Sequence, residues 1–116
     1  MMEVIMFKYL VLALMLFIAL PAKAEPFVSP QMCKSLSEDL YSVGSLRDAK
    51  TPIEKVFDEL LVATQGDTTS IPYKFYSYWI NVIFSSPKPS QELAMEFYFN
   101  CMKEKGDLAK LYGKQA

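Results

Sequence analysis

Apolar residues recur at helical spacing in four stretches of the chain. The first stretch opens at Ser29-Pro30, where a serine able to cap a helix precedes a proline suited to the first turn. Its apolar positions then step by three or four residues, as one face of a helix does. They are Cys33, Leu36, Leu40 and Val43, with Arg47 next in the series. This pattern predicts a first helix that turns one face to a core.

The second stretch begins at Thr51-Pro52. Thr51 is predicted to cap the helix while Glu54 reaches back three residues, and Pro52 fits the first turn. Gly66 lies where a left-handed residue would end the helix. The apolar face comprises Ile53, Val56, Phe57, Leu60 and Leu61.

The third stretch, residues 73–84, is rich in rings and β-branched side chains, which also favour a strand. Strict alternation of apolar and polar residues fails at Trp79-Ile80, so we predict a helix. Pro87-Lys88-Pro89 ends it, and Ser90 is predicted to cap a fourth helix that stops at Gly106. The inward face of that helix comprises Ala94, Phe97, Tyr98 and Cys101.

The two cysteines test this layout. Cys33 lies near the start of the first predicted helix and Cys101 near the end of the fourth. In an up-down-up-down arrangement those two ends lie on the same side of the bundle. We therefore predict an all-α fold, a small up-down four-helix bundle stapled by one disulfide, Cys33–Cys101, and preceded by a signal peptide.

The N-terminus has the pattern of an export signal. Residues 9–20 are uncharged and apolar, Lys8 precedes them, and Ala22-Lys23-Ala24 offers small residues for signal peptidase. The predicted organisation is a signal peptide at residues 1–24 and one domain at residues 25–116. The location is then periplasmic or secreted, with no stable membrane anchor after cleavage. The alternative is an uncleaved anchor over residues 4–22.

The amino-acid composition excludes several kinds of catalytic and binding site. The chain has no histidine, which excludes Ser-His-Asp triads and imidazole metal ligands. A net charge of −1 gives no general reason to bind nucleic acid. The carboxylate pairs lie off the inward faces and are predicted to be solvated: Glu38-Asp39, Asp58-Glu59, and Glu92 with Glu96. We expect no catalytic residues, metal or cofactor.

Aromatic residues supply the candidate contact surface. Six rings fall within residues 73–84, and a helix that is apolar on more than one face is either covered all round or exposes a contact patch. The candidate partner-contact residues are Phe75, Tyr78, Trp79, Tyr98 and Arg47. Packing of these rings into the core remains the alternative. For Arg47, the only arginine, the alternative is a structural role that holds the turn before Thr51.

Several of these landmarks occur together in known proteins. With Cys33, residues 47–50, residues 84–87 and Cys101 at their spacings, the chain resembles a loose group of small exported proteins of proteobacteria and their phages. The resemblance implies a helical fold with one disulfide and no defined activity.

The sequence as a whole predicts an exported, non-catalytic protein-interaction module, of the inhibitor or immunity type, with an unknown protein partner. Self-association into a homodimer is one option for that partner. The alternatives are a small periplasmic chaperone-like protein and a small enzyme that uses carboxylates.

Overall fold

The part of the protein that the structure describes contains the four helices that the sequence pattern predicts. The computed structural model describes residues 27–112, so the predicted signal peptide lies outside the described residues. The four helices and a final single turn are α1 Pro30–Asp48, α2 Ile53–Ala63, α3 Ile71–Ser85, α4 Ser90–Lys103 and α5 Leu108–Leu111. No helix in this part of the chain is both long and apolar enough to cross a membrane.

Two of the three predicted caps are wrong. Ser29 caps α1, because its hydroxyl accepts a hydrogen bond from the amide of Met32 at 3.1 Å. Thr51 does not cap α2: Pro52 occupies the cap position and no side chain bonds there. Ser90 lies inside α4, and its hydroxyl donates to the Asp48 carboxylate at 2.7 Å. A tertiary partner therefore takes the Ser90 hydroxyl away from its own helix.

The ends of the helices use left-handed residues. Past α2, Gln65 and Gly66 have φ values of 55° and 76°, and the Gly66 amide donates to the Leu61 carbonyl at 2.7 Å. This bond satisfies a carbonyl that the helix end would leave free. The predicted place of Gly66 is confirmed.

Contacts between helices define their directions. α1 packs most extensively against α4, it also contacts α3, and α2 packs against α3. Cys33, early in α1, is bonded to Cys101, late in α4, so these two helices are antiparallel. Along α3, Tyr76 contacts Asp39 of α1 and the Ile83 carbonyl contacts Arg47, so α1 and α3 run parallel. α3 and α4 are therefore antiparallel to each other, as neighbouring helices of an up-down bundle are.

The core is apolar and centred on rings. Phe75 and Tyr76 of α3 and Phe97 of α4 are at most 1% exposed, and the rings of Phe75 and Phe97 meet edge to face at 5.8 Å. The aliphatic side chains around them come from all four helices and from α5: Leu36, Leu40, Val43, Val56, Leu60, Ile80, Ile83, Leu93, Leu108 and Leu111.

The predicted disulfide is present. Cys33 and Cys101 are at most 1% exposed, and their α-carbons lie 5.8 Å apart, within the range that a disulfide allows. Next to it, the Val28 amide donates to the Gly106 carbonyl at 2.9 Å. Gly106 has a φ of 74° and lies against the Val28 backbone, where a Cβ would collide. Only glycine fits this crossing.

Alanine at position 44 is predicted to destabilise the protein, which is opposite to its usual effect inside a helix. Alanine normally stabilises a helix interior by about 1 kcal/mol relative to glycine. Here a Cβ on Gly44 would lie 2.6 Å from the Cβ of Ser90, so α1 and α4 would have to move apart. We expect Gly44→Ala to lower the free energy of unfolding by about 2 kcal/mol, measured by urea denaturation. Ser35→Ala, at an exposed site of α1, is the control and should change little; a stabilising Gly44→Ala would contradict the close crossing.

Candidate interaction surface

The outer face of α4 carries a row of exposed apolar side chains. α4 turns Leu93, Phe97 and Cys101 to the core. On the opposite side Met95, Phe99 and Met102 are 49%, 60% and 40% exposed. Their spacing of four and three residues places them in one row along the helix, which we name the outer α4 stripe. Contiguous exposed apolar patches of this kind mark interaction sites.

A groove of about 440 Å³ lies along the N-terminal half of the stripe. Its lining residues are Pro89, Gln91, Glu92, Met95, Glu96 and Phe99. The Glu96 carboxylate accepts a hydrogen bond from the Lys88 ammonium at 2.8 Å, and about half of each side chain remains exposed. The groove thus combines an apolar floor with an acidic edge, whereas the last turn of α4 carries an exposed cation, Lys103.

Phe75 is wrong as a predicted partner contact. Its side chain is 0% exposed, so no partner can reach it in this fold. The ring meets Phe97 of α4, and it also meets Tyr112 at 5.7 Å, edge to face. The side of α3 that carries Phe75 is therefore covered by α4 and by Tyr112.

The remaining predicted rings lie at the border of the core. Trp79 packs edge to face on Phe97 at 5.2 Å, and its buried indole nitrogen has no hydrogen-bond partner among residues 27–112. Tyr78 rests against Trp79 at 5.4 Å, and Tyr98 meets Phe99 of the stripe at 5.9 Å. All three are partly exposed, and contact with a partner stays a prediction for them.

The structure uses Arg47 inside the fold. Its guanidinium donates to the carbonyls of Ile83 at 2.9 Å, Ser86 at 3.0 Å and Lys88 at 2.9 Å. It also pairs with Asp48, which accepts the Ser90 hydroxyl. These contacts favour the structural alternative over a partner contact, but at a different place: Arg47 holds the connection between α3 and α4 rather than the turn before Thr51.

Asp39 corrects the prediction that the carboxylate pairs are solvated. The Tyr76 hydroxyl, on a fully buried side chain, donates to the Asp39 carboxylate at 2.7 Å. Burial raises the pKa of Asp39 to about 7, although the bond from Tyr76 lowers it; the nearby charge of Glu38 raises it further. The sequence places Asp39 beside the inward face, and only the tertiary structure shows that Tyr76 draws it in.

The partly buried Asp39 carboxyl makes stability depend on pH. Its pKa is about 7 in the folded protein and 3.8 ordinarily, so between these values the folded state binds the extra proton. Stability should therefore fall as pH rises from about 4 to 7 and then level off. We expect Asp39→Asn to remove this fall and to be more stable at pH 8, by on the order of 2 kcal/mol. Urea midpoints at pH 5 and 8 measure it.

Glu38→Gln is the matched control for this prediction. It removes the exposed carboxyl next to Asp39 and keeps Asp39 itself. That variant should retain most of the pH dependence. An unchanged fall in stability in the Asp39→Asn variant would contradict the role of Asp39.

Sequence spacing signals the outer α4 stripe only in part. Phe97, Tyr98 and Phe99 are consecutive rings that cannot all face one core, so one of them had to point outward. The methionines four residues before and three residues after Phe99 complete the row. Neither methionine is among the residues predicted to contact a partner.

Residues 27–112 contain no group of three or more acidic or cysteine side chains placed to hold a metal ion. Comparisons with protein-family models, with curated proteins and with solved structures gave no match.

Proposed function

We propose that this protein is exported and acts as a non-catalytic protein-binding module, of the inhibitor or immunity type. The observation that carries the proposal is the outer α4 stripe. Met95, Phe99 and Met102 remain exposed on a helix that buries Leu93 and Phe97. Aromatic and methionine side chains are enriched where proteins meet.

The rest of the fold supports this role because it holds α4 at both ends. Near its C-terminal end the disulfide of Cys101 ties α4 to α1. At its N-terminal end Ser90 bonds Asp48, and Arg47 binds the preceding carbonyls. A surface held in one conformation loses less conformational entropy when it binds. The stripe is thus presented ready for contact.

Export is part of the proposal. The apolar run of residues 9–20 and the Ala22-Lys23-Ala24 site support it, and so does the disulfide, because disulfides persist in oxidising compartments. The intact mass of protein recovered from the periplasm or the medium tests it. We expect the mass of residues 25–116 with the disulfide formed. Full-length, reduced protein confined to the cytosol would overturn the export part.

Photo-cross-linking tests the contact part. A photoreactive phenylalanine analogue at Phe99 is compared with the same analogue at Val62, which is 60% exposed like Phe99 but lies on α2. Irradiation of producing cells should give discrete adducts from position 99 and none from position 62. Equal adducts from both positions, or none from position 99, would overturn the proposal.

A further inference from the structure

The outer α4 stripe is complementary to itself. We infer that it binds a second copy of this chain, with the two α4 helices antiparallel about a two-fold axis at Phe99. The inference rests on the proposed function, and it names the partner of the same surface.

The apolar positions match in this arrangement. Met95 lies four residues before Phe99 and Met102 three residues after it. At 1.5 Å per residue these offsets are about 6 and about 4.5 Å. Two antiparallel copies that cross at Phe99 therefore place Met95 opposite Met102 of the second copy. The groove beside Met95 then receives that methionine.

The charged positions match in the same register. Glu96 lies three residues before Phe99 and Lys103 four residues after it. Residues seven apart differ by only about 20° around a helix, so Glu96 and Lys103 share one edge of the stripe. Met95 and Met102 share the other edge for the same reason. A two-fold axis perpendicular to the helices brings like edges together, so Glu96 of each copy meets Lys103 of the other.

A parallel pair lacks this match. A two-fold axis along the helices places the charged edge of one copy against the methionine edge of the other. Each Glu96 and Lys103 would then lose water without gaining a partner, which is unfavourable. Charge complementarity thus selects the antiparallel pair.

The existing bridge to Lys88 is compatible with this pairing. Both side chains of that bridge are about half exposed, and surface pairs of this kind contribute little to stability. The Glu96 carboxylate can accept from a second ammonium as well, because each carboxylate has two oxygens.

A single helix face is small compared with a standard interface of about 800 Å² on each partner. We therefore expect a weak dimer, with a dissociation constant on the order of 10–100 μM. Sedimentation velocity over a concentration series measures it on the disulfide-bonded protein. A chain that stays monomeric up to about 500 μM would overturn the inference.

Phe99→Glu tests the centre of the interface, with Val62→Glu as the control of equal exposure. We expect Phe99→Glu to raise the dissociation constant by at least about tenfold and Val62→Glu to leave it unchanged. Far-ultraviolet circular dichroism confirms that both variants keep the helical fold. Equal effects of the two substitutions would overturn the inference.

A charge exchange tests the register. Glu96→Lys and Lys103→Glu should each weaken self-association several-fold, because each places like charges opposite one another in its own dimer. Mixing the two variants restores both Glu–Lys pairs, so the mixture should associate as tightly as the original chain. A mixture no stronger than either variant alone would overturn the antiparallel pair.

These results also separate this inference from the proposed function. A photo-adduct at position 99 with the mass of two copies supports both. An adduct with a different protein, together with a chain that stays monomeric, overturns the second copy as partner but leaves the protein-binding role in place. The absence of any adduct at position 99 overturns the proposed function itself.

Discussion

Replacement of both cysteines, Cys33→Ala with Cys101→Ala, should lower the free energy of unfolding by about 4 kcal/mol. The disulfide joins residues 68 positions apart, so its loss releases a long loop in the unfolded chain. Small domains have a total stability of about 5 kcal/mol, and the double variant should therefore be close to unfolding at 37 °C. Urea denaturation followed by circular dichroism measures the change.

Reductant provides the control for the disulfide. A thiol reagent should lower the urea midpoint of the original protein to near that of the double variant, and it should leave the double variant unchanged. A loss of less than about 1 kcal/mol in the double variant would contradict the stabilising role that the long loop predicts.

Arg47→Ala should lower the free energy of unfolding by about 3 kcal/mol. The Arg47 side chain is 16% exposed, and its guanidinium donates to three carbonyls where α3 ends and α4 begins. Its removal leaves these carbonyls without a charged donor and releases the connection between the two helices. Arg47→Lys should recover only part of the loss, because an ammonium cannot reproduce the planar fork of donors.

Lys34→Ala is the matched control for Arg47, since it removes a cation from the exposed side of the same helix. It should change stability by less than about 0.5 kcal/mol. An Arg47→Ala variant as stable as Lys34→Ala would show that the contacts of Arg47 do not hold the helix ends together. Both free energies come from the same urea denaturation series.

Features set by local sequence could be predicted. The period of apolar residues defined the four helices, and Ser29 caps the first of them through a bond within its own turn. The pairing of Cys33 with Cys101 agreed with the predicted helix order, because a chain that runs through four alternating helices ends at the side of the bundle where it began. In the ring-rich α3, the failure of alternation correctly outweighed strand propensity.

Features set by tertiary contacts could not be predicted. Ser90 has the character of a cap, but the Asp48 carboxylate lies within reach and takes its hydroxyl. Asp39 lies beside an inward face, and burial depends on Tyr76 reaching across from another helix. Phe75 looked outward on its own helix until α4 and Tyr112 covered it. In each case the contacting residue, which is Asp48, Tyr76 or Phe97, is more than twenty residues away along the chain.

The outer α4 stripe was only partly predicted, because its exposure also depends on tertiary packing. Periodicity shows which side of α4 faces the core, so the exposure of one ring among residues 97–99 followed from the sequence. A self-complementary surface can be recognised only once α4 is known to expose this side. It consists of Glu96, the apolar row and Lys103. That information comes from the packing of α1 against the opposite side of α4.

The central claim is that two molecules meet at the outer α4 stripe. A dilution series followed by nuclear magnetic resonance of the backbone amides tests it most directly. Between about 500 and 20 μM, we predict that the amide signals of Met95, Phe99 and Met102 shift with concentration. Those of α2 around Val62 should stay fixed. Signals that stay fixed along α4, or that shift around Val62 instead, would contradict the account.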